Sequence, residues 1–439
     1  MRHIFKKLNN LLFYRNKMSR KRRRSNPTTI FDPVHREYEL GPEIIDIINT
    51  EEFQRLRRLR QLATAHWVWL GATHTRFEHS ISVGYLAGRL ATHLQTKQPE
   101  LNITERQILL VQLAGLLHDV GHGPFSHLFD DVFLKGSASP MAHHEQRSVA
   151  IVARLLKRST FDYSAEEIAF VQSLIAPAKG QEGFLYHIVA NQVNHLDVDK
   201  MEYIKRDARA CGLSQGGFDT DTMRIINAAR VVDDCICYHQ KVYEDIYNLF
   251  LTRYRLHTTV YRHSAVVAIH YMVSDALKCS GLPIEESISD LDRFLQYDDT
   301  VLDAIRRSKS TDMAKSRAII RRIDVRQLYK VVVTDKQSKP WSFTPTVAAL
   351  IALEPGLKED SLVIDISCVG FIGKADGHPM DNLKFYETEK PNKSFSVKRR
   401  SVSTLLTPRY CEYWTRIIVK NEEDVDLTLK AWNSLKSSI

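Results

Sequence analysis

The chain has 439 residues, 44% of them hydrophobic, enough to bury a large core in more than one lobe of a globular protein. No apolar run approaches the ~20 residues of a membrane span. Six cysteines without a CxxC or a framework spacing make reduced, intracellular thiols the default. The net charge of +9 belongs to one end: residues 1–26 carry ten Lys or Arg and no acid, and the other 51 basic and 52 acidic residues argue against an extended nucleic-acid-binding face.

In chain order, residues 1–26 read as a disordered basic tail. Its run Lys21-Arg22-Arg23-Arg24 fits a nuclear import signal or a weak nucleic-acid contact, and equally a plain solvated tail. The expected location is intracellular, in nucleus or cytoplasm. Residues 27–40 form a polar, extended lead-in. Helices are expected over Glu43–Arg60, Ser80–Leu94, Glu105–Leu117, His144–Leu156, Glu166–Ile175, Gln192–Ala210 and Tyr243–Lys278, from apolar residues recurring at three- and four-residue steps. Gly180 and Gly183 mark one loop, and the stretch Gly212 to Gly217 marks another. Beyond about Lys330, strands are expected at 331–333, 361–369 and 413–419, with helix at 343–353 and 422–437. The fold class is therefore mainly α: a helical catalytic lobe over 27–330 and a smaller α+β lobe over 331–439.

The apolar run Leu109–Leu117 ends in His118-Asp119, and Gly121, Gly123 and Pro124 then break the helix. Imidazole beside carboxylate suits zinc, iron, manganese or nickel, whereas a pure carboxylate set would suit magnesium. Either side chain alone is more often a helix cap or a buried, hydrogen-bonded polar group. The company changes the balance, because His79 lies 39 residues earlier and Asp199 lies 80 residues after Asp119. His79, His118, Asp119 and Asp199 form a candidate set for one divalent ion, which would acidify water and neutralise charge at phosphorus. His122, His127 and His144, with Asp130, form a second set suited to proton transfer near neutral pH. His143 competes with His144 and is expected to face solvent. Asp199, Tyr203 and Asp207 recur every four residues on one helical stripe, about 6 and 12 Å along the axis from the ligand. Arg76, Lys200 and Arg253 are cationic candidates for a triphosphate.

His, His-Asp and Asp on three predicted helices resemble the HD metal-dependent phosphohydrolases. The runs Gly71–Ser80, Val83–Gly88, Ala114–His127 and Asp197–Lys200, with Tyr203 and Asp207, are similar to the SAM- and HD-domain dNTP triphosphohydrolases in particular. The similarity runs from about Asp32 to Lys330. Only about 26 residues precede it, so no SAM domain is expected.

The resemblance implies cleavage of a dNTP to deoxynucleoside and inorganic triphosphate. It implies that His127 and His144 contact phosphate or donate the proton, that His122 assists and that Asp130 orients. It implies that Tyr203 packs on the deoxyribose, that Asp207 and Gln61 hold the 3′-hydroxyl, and that Tyr261 and His263 lie near base and sugar. Ser264 replaces the family's lysine. The resemblance further implies a homo-oligomer, dimer or tetramer, assembled by nucleotides at Gln54, Arg57, Arg224, Lys241, Arg326 and Lys330. Each of these six also reads as a solvated surface residue. Asn49 and Thr28 depart from the family's guanine-reading acid and phosphate-contacting lysine. The alternatives are an HD phosphohydrolase for another nucleotide and a single-stranded nucleic-acid binding protein.

Overall fold

A computed structural model describes residues 26–214, 221–339, 344–370, 379–397 and 411–438. The basic tail up to Ser25, and Gly216 and Gly217, lie outside the described residues. The architecture is mainly α with a smaller C-terminal α+β region, and no helix among the described residues is long and apolar enough to cross a membrane.

A hairpin of β1 (Thr28–Asp32) and β2 (Arg36–Leu40) opens the described chain, followed by α1 (Pro42–Ile48). The central pair is α2 (Arg76–Lys97) and α3 (Glu105–Leu117). Each begins with a capping box, Thr75 with Glu78 and Thr104 with Gln107, which satisfies amide donors that the first turn leaves free. They run antiparallel and close together because glycine lines the seam. A Cβ on Gly115 would stand 2.9 Å from the Ala87 Cβ and 3.0 Å from the Val83 carbonyl. That approach brings the start of α2, with His79, against the end of α3, with His118.

Around the pair pack α4 (His144–Arg158), α5 (Ala165–Ile175) and α6 (Val198–Ala210). A hairpin of β3 (Ala229–Val232) and β4 (Cys235–His239) precedes α7 (Tyr243–Leu256), α8 (Ser264–Lys278) and α9 (Ala314–Asp324). β5 (Lys330–Gln337), α10 (Val347–Leu353), β6 (Leu362–Gly370), β7 (Lys384–Glu387), β8 (Lys390–Ser396), β9 (Cys411–Val419) and α11 (Val425–Ser437) complete the fold. One sheet has the order β5-β9-β6. Its Ile417 and Val419 join a small core with Trp432 and Leu350, while Ile418 joins the main core.

Several expectations change in detail. The helix expected over Glu43–Arg60 breaks at Asn49, where Thr50 caps a new turn. The helix expected from Gln192 begins only at Val198. Asn191 accepts from the amides of Val193 and Asn194, and Asn194 accepts from that of Leu196, so these side chains hold the backbone in turns instead. Tyr243–Lys278 is two helices, joined through a π turn at His257–Tyr261, with His263 capping the second. The strands β3, β4, β7 and β8 were not anticipated. They form one sheet in which Tyr238 pairs with Phe385 in parallel, a contact between distant segments that no local pattern announces. The expectation of six free thiols is corrected at one pair. Cys368 and Cys411, 43 residues apart, are disulfide-bonded because β6 and β9 pair Gly370 with Cys411.

Candidate metal centre and substrate cleft

His79, His118, Asp119 and Asp199 converge. The Nε2 atom of His79 lies 3.4 Å from an Asp119 oxygen and 3.2 Å from an Asp199 oxygen. That of His118 lies 3.4 Å from each of the same carboxylates. The tautomers follow from the opposite ring nitrogens. His118 Nδ1 donates to the Gly115 carbonyl at 2.8 Å, and His79 Nδ1 donates to the Glu202 carboxylate. Both Nε2 lone pairs therefore face the two carboxylates, and His118 Nε2 has no hydrogen-bond partner although buried. Two imidazoles and two carboxylates with inward lone pairs fit a divalent cation, and His79, His118 and Asp119 have one donor atom each within 4.8 Å of the others.

Burial opposes ionisation of Asp119, but Arg76, His118 and His122 hold its carboxyl well below the usual range. Burial likewise opposes charge on Asp199, and His118 and His79 overcome it. Arg76 is itself buried, donating to Asp119 and, at 2.8 Å, to the Ser126 hydroxyl. The structure thus brings this expected triphosphate cation to a metal-type ligand.

Beside the centre, His122 stacks on His144 with ring centroids 3.7 Å apart, and His127 lies 5.1 and 5.4 Å from the two. Gly121 makes room for this. A Cβ there would sit 2.4 Å from the His144 carbonyl oxygen, so any side chain would push α4 away. His144 Nδ1 is 2.8 Å from Asp130, whose other oxygen accepts from the buried Arg147. Despite burial, His144 and Arg147 hold the Asp130 carboxyl at about 2. His122 falls well below its ordinary value, through burial and through Arg76 and His144. His143 is exposed, as expected.

Along α6, Asp197 caps the helix and accepts from the Lys200 ammonium at 2.8 Å. Tyr203 is partly buried and its hydroxyl accepts from Arg253 Nε at 3.1 Å. Asp207 is buried and accepts from His74 Nε2 at 2.7 Å and from the Tyr261 hydroxyl at 2.5 Å. Gln61 is adjacent, since its backbone amide donates to the His74 carbonyl at 3.1 Å, and its buried Oε1 has no partner. His263 is exposed at the start of α8, with its ring accepting from the Ala265 amide at 3.3 Å.

The six regulatory candidates do not gather in one place. Gln54 accepts from Arg57 at 2.8 Å, and the Arg57 guanidinium lies 3.5 Å from the Phe77 ring centroid. Arg57 also lines a cavity of about 410 Å³ with Arg58, Arg60, Trp67 and Arg306. Arg326 donates to the Trp67 carbonyl at 3.0 Å, and with Lys330, Arg322 and Lys420 it lines a second cavity of about 410 Å³. Arg224 and Lys241 are elsewhere, joined through a 3.4 Å hydrogen bond from Arg224 to the Lys241 carbonyl.

Glu202, His74 and Arg147 carry no role in the sequence reading. Glu202 carries a faint signal, three residues after Asp199 on the helix. His74 stands inside the Gly71–Ser80 run without a distinguishing pattern.

Residues 76–234 match the HD domain and residues 220–369 the HD associated region. Together with the His/Asp cluster, this makes the protein an HD-domain hydrolase. The chain is 35% identical over 422 residues to the deoxynucleoside triphosphate triphosphohydrolase SAMHD1 homolog of Dictyostelium discoideum, covering 94% of this chain and 81% of that protein. The deoxynucleoside triphosphate triphosphohydrolases SAMHD1 of Bos taurus and Homo sapiens are each 34% identical, over 91% and 89% of this chain and 76% and 70% of their own lengths. The chain belongs to the SAMHD1 family.

Proposed function

We propose that this hydrolase cleaves deoxynucleoside triphosphates into deoxynucleoside and inorganic triphosphate. The observation that carries the reading is α6, which presents Asp199 to the His/Asp cluster and, two turns on, Asp207 to the polar groups of His74 and Tyr261. That span suits a deoxyribose next to its α-phosphate.

His79, His118, Asp119 and Asp199 would hold the ion, which supplies Lewis acidity at the α-phosphate; iron, manganese and zinc all suit this donor set, with magnesium on the nucleotide. The chain's own residues do the rest. Asp130 behind Nδ1 of His144 stabilises an imidazolium whose other nitrogen donates a proton to the departing 5′-oxygen. His127 lies beside it to contact phosphate, and His122, stacked on His144, assists. Lys200 keeps two ammonium hydrogens beyond its bond to Asp197 for the triphosphate, and Arg253 and Arg76 add positive charge at either side. Tyr203 presses on the sugar where a 2′-hydroxyl would stand. Each Asp207 oxygen retains a lone pair to accept from the 3′-hydroxyl, with Gln61 beside it. Tyr261 and His263 border the sugar and base.

Assembly into a dimer or tetramer, driven by nucleotides at Gln54, Arg57, Arg224, Lys241, Arg326 and Lys330, is part of the same reading. The two cavities lined by Arg57 and by Arg326 and Lys330 support it.

The test is incubation of purified protein with each dNTP and a divalent metal, with products resolved by ion exchange. Deoxynucleoside plus triphosphate is the expected result. A deoxynucleoside monophosphate, or turnover of another nucleotide alone, would overturn the assignment.

A further inference from the structure

The His79 ring is not held by its carboxylate partner alone. Its Nδ1 donates to Glu202, and the other Glu202 oxygen accepts from Arg206 Nε at 2.6 Å. Arg206 then donates to Asp32 Oδ2 at 2.9 Å and to the Ser82 hydroxyl at 3.0 Å. Asp32 ends β1, and its second oxygen accepts from the backbone amides of Val34 at 2.8 Å and His35 at 2.7 Å, closing the β1–β2 turn. The Ser82 hydroxyl meets the Tyr38 hydroxyl of β2 at 3.1 Å, and His35 Nε2 lies 3.5 Å from Glu202. His79, Glu202, Arg206 and Asp32 are all buried.

Four buried ionisable groups in a row are costly unless each has its partners, and here each does. Such a row is weak evidence for a stabilising role, since hydrophobic filling of the same volume is often no less stable. We propose that Glu202, Arg206 and Asp32 are positioning residues: they fix the tautomer and direction of the His79 ring, and so couple metal affinity to the seating of the β1–β2 hairpin. Glu202 as an acceptor keeps the proton on Nδ1 and the lone pair on Nε2. Arg206 fixes the Glu202 rotamer, and Asp32 fixes Arg206 only while the hairpin turn is closed.

This rests on the reading of the His/Asp cluster as a metal site, and one experiment separates the two. Chelator-stripped wild-type, Glu202→Gln and Asp32→Asn proteins are titrated with Co2+ by calorimetry. The visible spectrum of each Co2+-saturated protein and its thermal melt are recorded alongside. Wild-type protein that binds no Co2+ defeats the metal reading itself. If wild type binds, Glu202→Gln should raise Kd about 10- to 100-fold and shift the cobalt bands, because the His79 ring is released. Asp32→Asn should raise Kd by a smaller factor, under about 10-fold, with the same direction of spectral shift. Neither change in a spectrum at saturation follows from lost stability alone. Should Glu202→Gln fail to fold, Asp32→Asn decides, since its substitution lies outside the ligand helices. Wild-type Kd and spectrum in a folded variant would overturn the relay.

Discussion

At the Asp199 end of α6, two imidazole nitrogens and two carboxylates face each other at 3.2–3.4 Å, and the buried His118 Nε2 forms no hydrogen bond. At the Asp207 end, both carboxylate oxygens already have donors, from His74 and Tyr261, and Tyr203 is bonded to Arg253. The first arrangement fits a divalent cation. The second is closed on itself and presents a preformed wall, which costs nothing to organise when a sugar arrives. On the proposed reading the two ends of one helix divide the work: one would hold the reacting phosphate, and the other would set which sugar can sit beside it.

The sharpest way to break that division is Asp199→Ala. It should abolish both ion binding and dNTP hydrolysis, a loss beyond about 1000-fold, while near-ultraviolet circular dichroism stays native, because the Asp199 side chain is 28% exposed and its removal leaves the His79–Glu202 pair in place. Full turnover in that variant would remove the metal from the account. Next comes Asp130→Asn, which leaves the ligand set untouched. It should lower kcat about 100-fold or more through the weakened imidazolium of His144, with metal content unchanged by mass spectrometry. Equal loss of metal would merge the two functions.

Asp207→Asn is expected to weaken kcat/KM for dNTP by about 1.5–3 kcal/mol, since an amide replaces one of two accepting oxygens. Metal affinity should not move, and a shift there would tie the ends together. The smallest effect concerns acid stability. The Asp130 pKa is about 2 in the fold against the usual 3.8, so its contribution, about 2 kcal/mol, is complete above pH 3.8 and disappears as pH falls through 2. Urea unfolding of wild type and Asp130→Asn should show a gap at pH 7 that narrows between pH 4 and pH 2. A gap constant with pH would assign the loss to packing.

Much of the centre is legible in the sequence because it is carried by contiguous runs. His118-Asp119 ends an apolar helix, and glycines break that helix where the chain must turn, so residue type and local structure point the same way. α3 begins and ends where its pattern predicts, at Glu105 and Leu117. The support around the centre is not legible. Glu202 reads as one more helix carboxylate until α6 packs on α2 and its oxygen meets His79. Strand β7 has four residues and pairs with a strand about 150 positions earlier, so only the tertiary fold reveals the sheet. Cys368 and Cys411 are likewise neighbours only through the β6–β9 ladder. Helix ends failed where Asn191, Asn194 and Thr50 draw backbone amides to their side chains, a competition that apolar periodicity does not register.

The division of labour along α6 is tested most directly by kcat/KM for dATP and ATP in wild type and Tyr203→Ala, with bound metal measured on the same samples. On the proposed reading Tyr203 bears on the sugar, and its hydroxyl is bonded to Arg253 rather than to a ligand residue, so metal content should stay at the wild-type level. The ratio of dATP to ATP should fall about 100-fold, mainly through slower dATP turnover, as a loosened sugar lets the α-phosphate drift from its place. An unchanged ratio with full metal content would contradict the account and move the sugar pocket away from this helix.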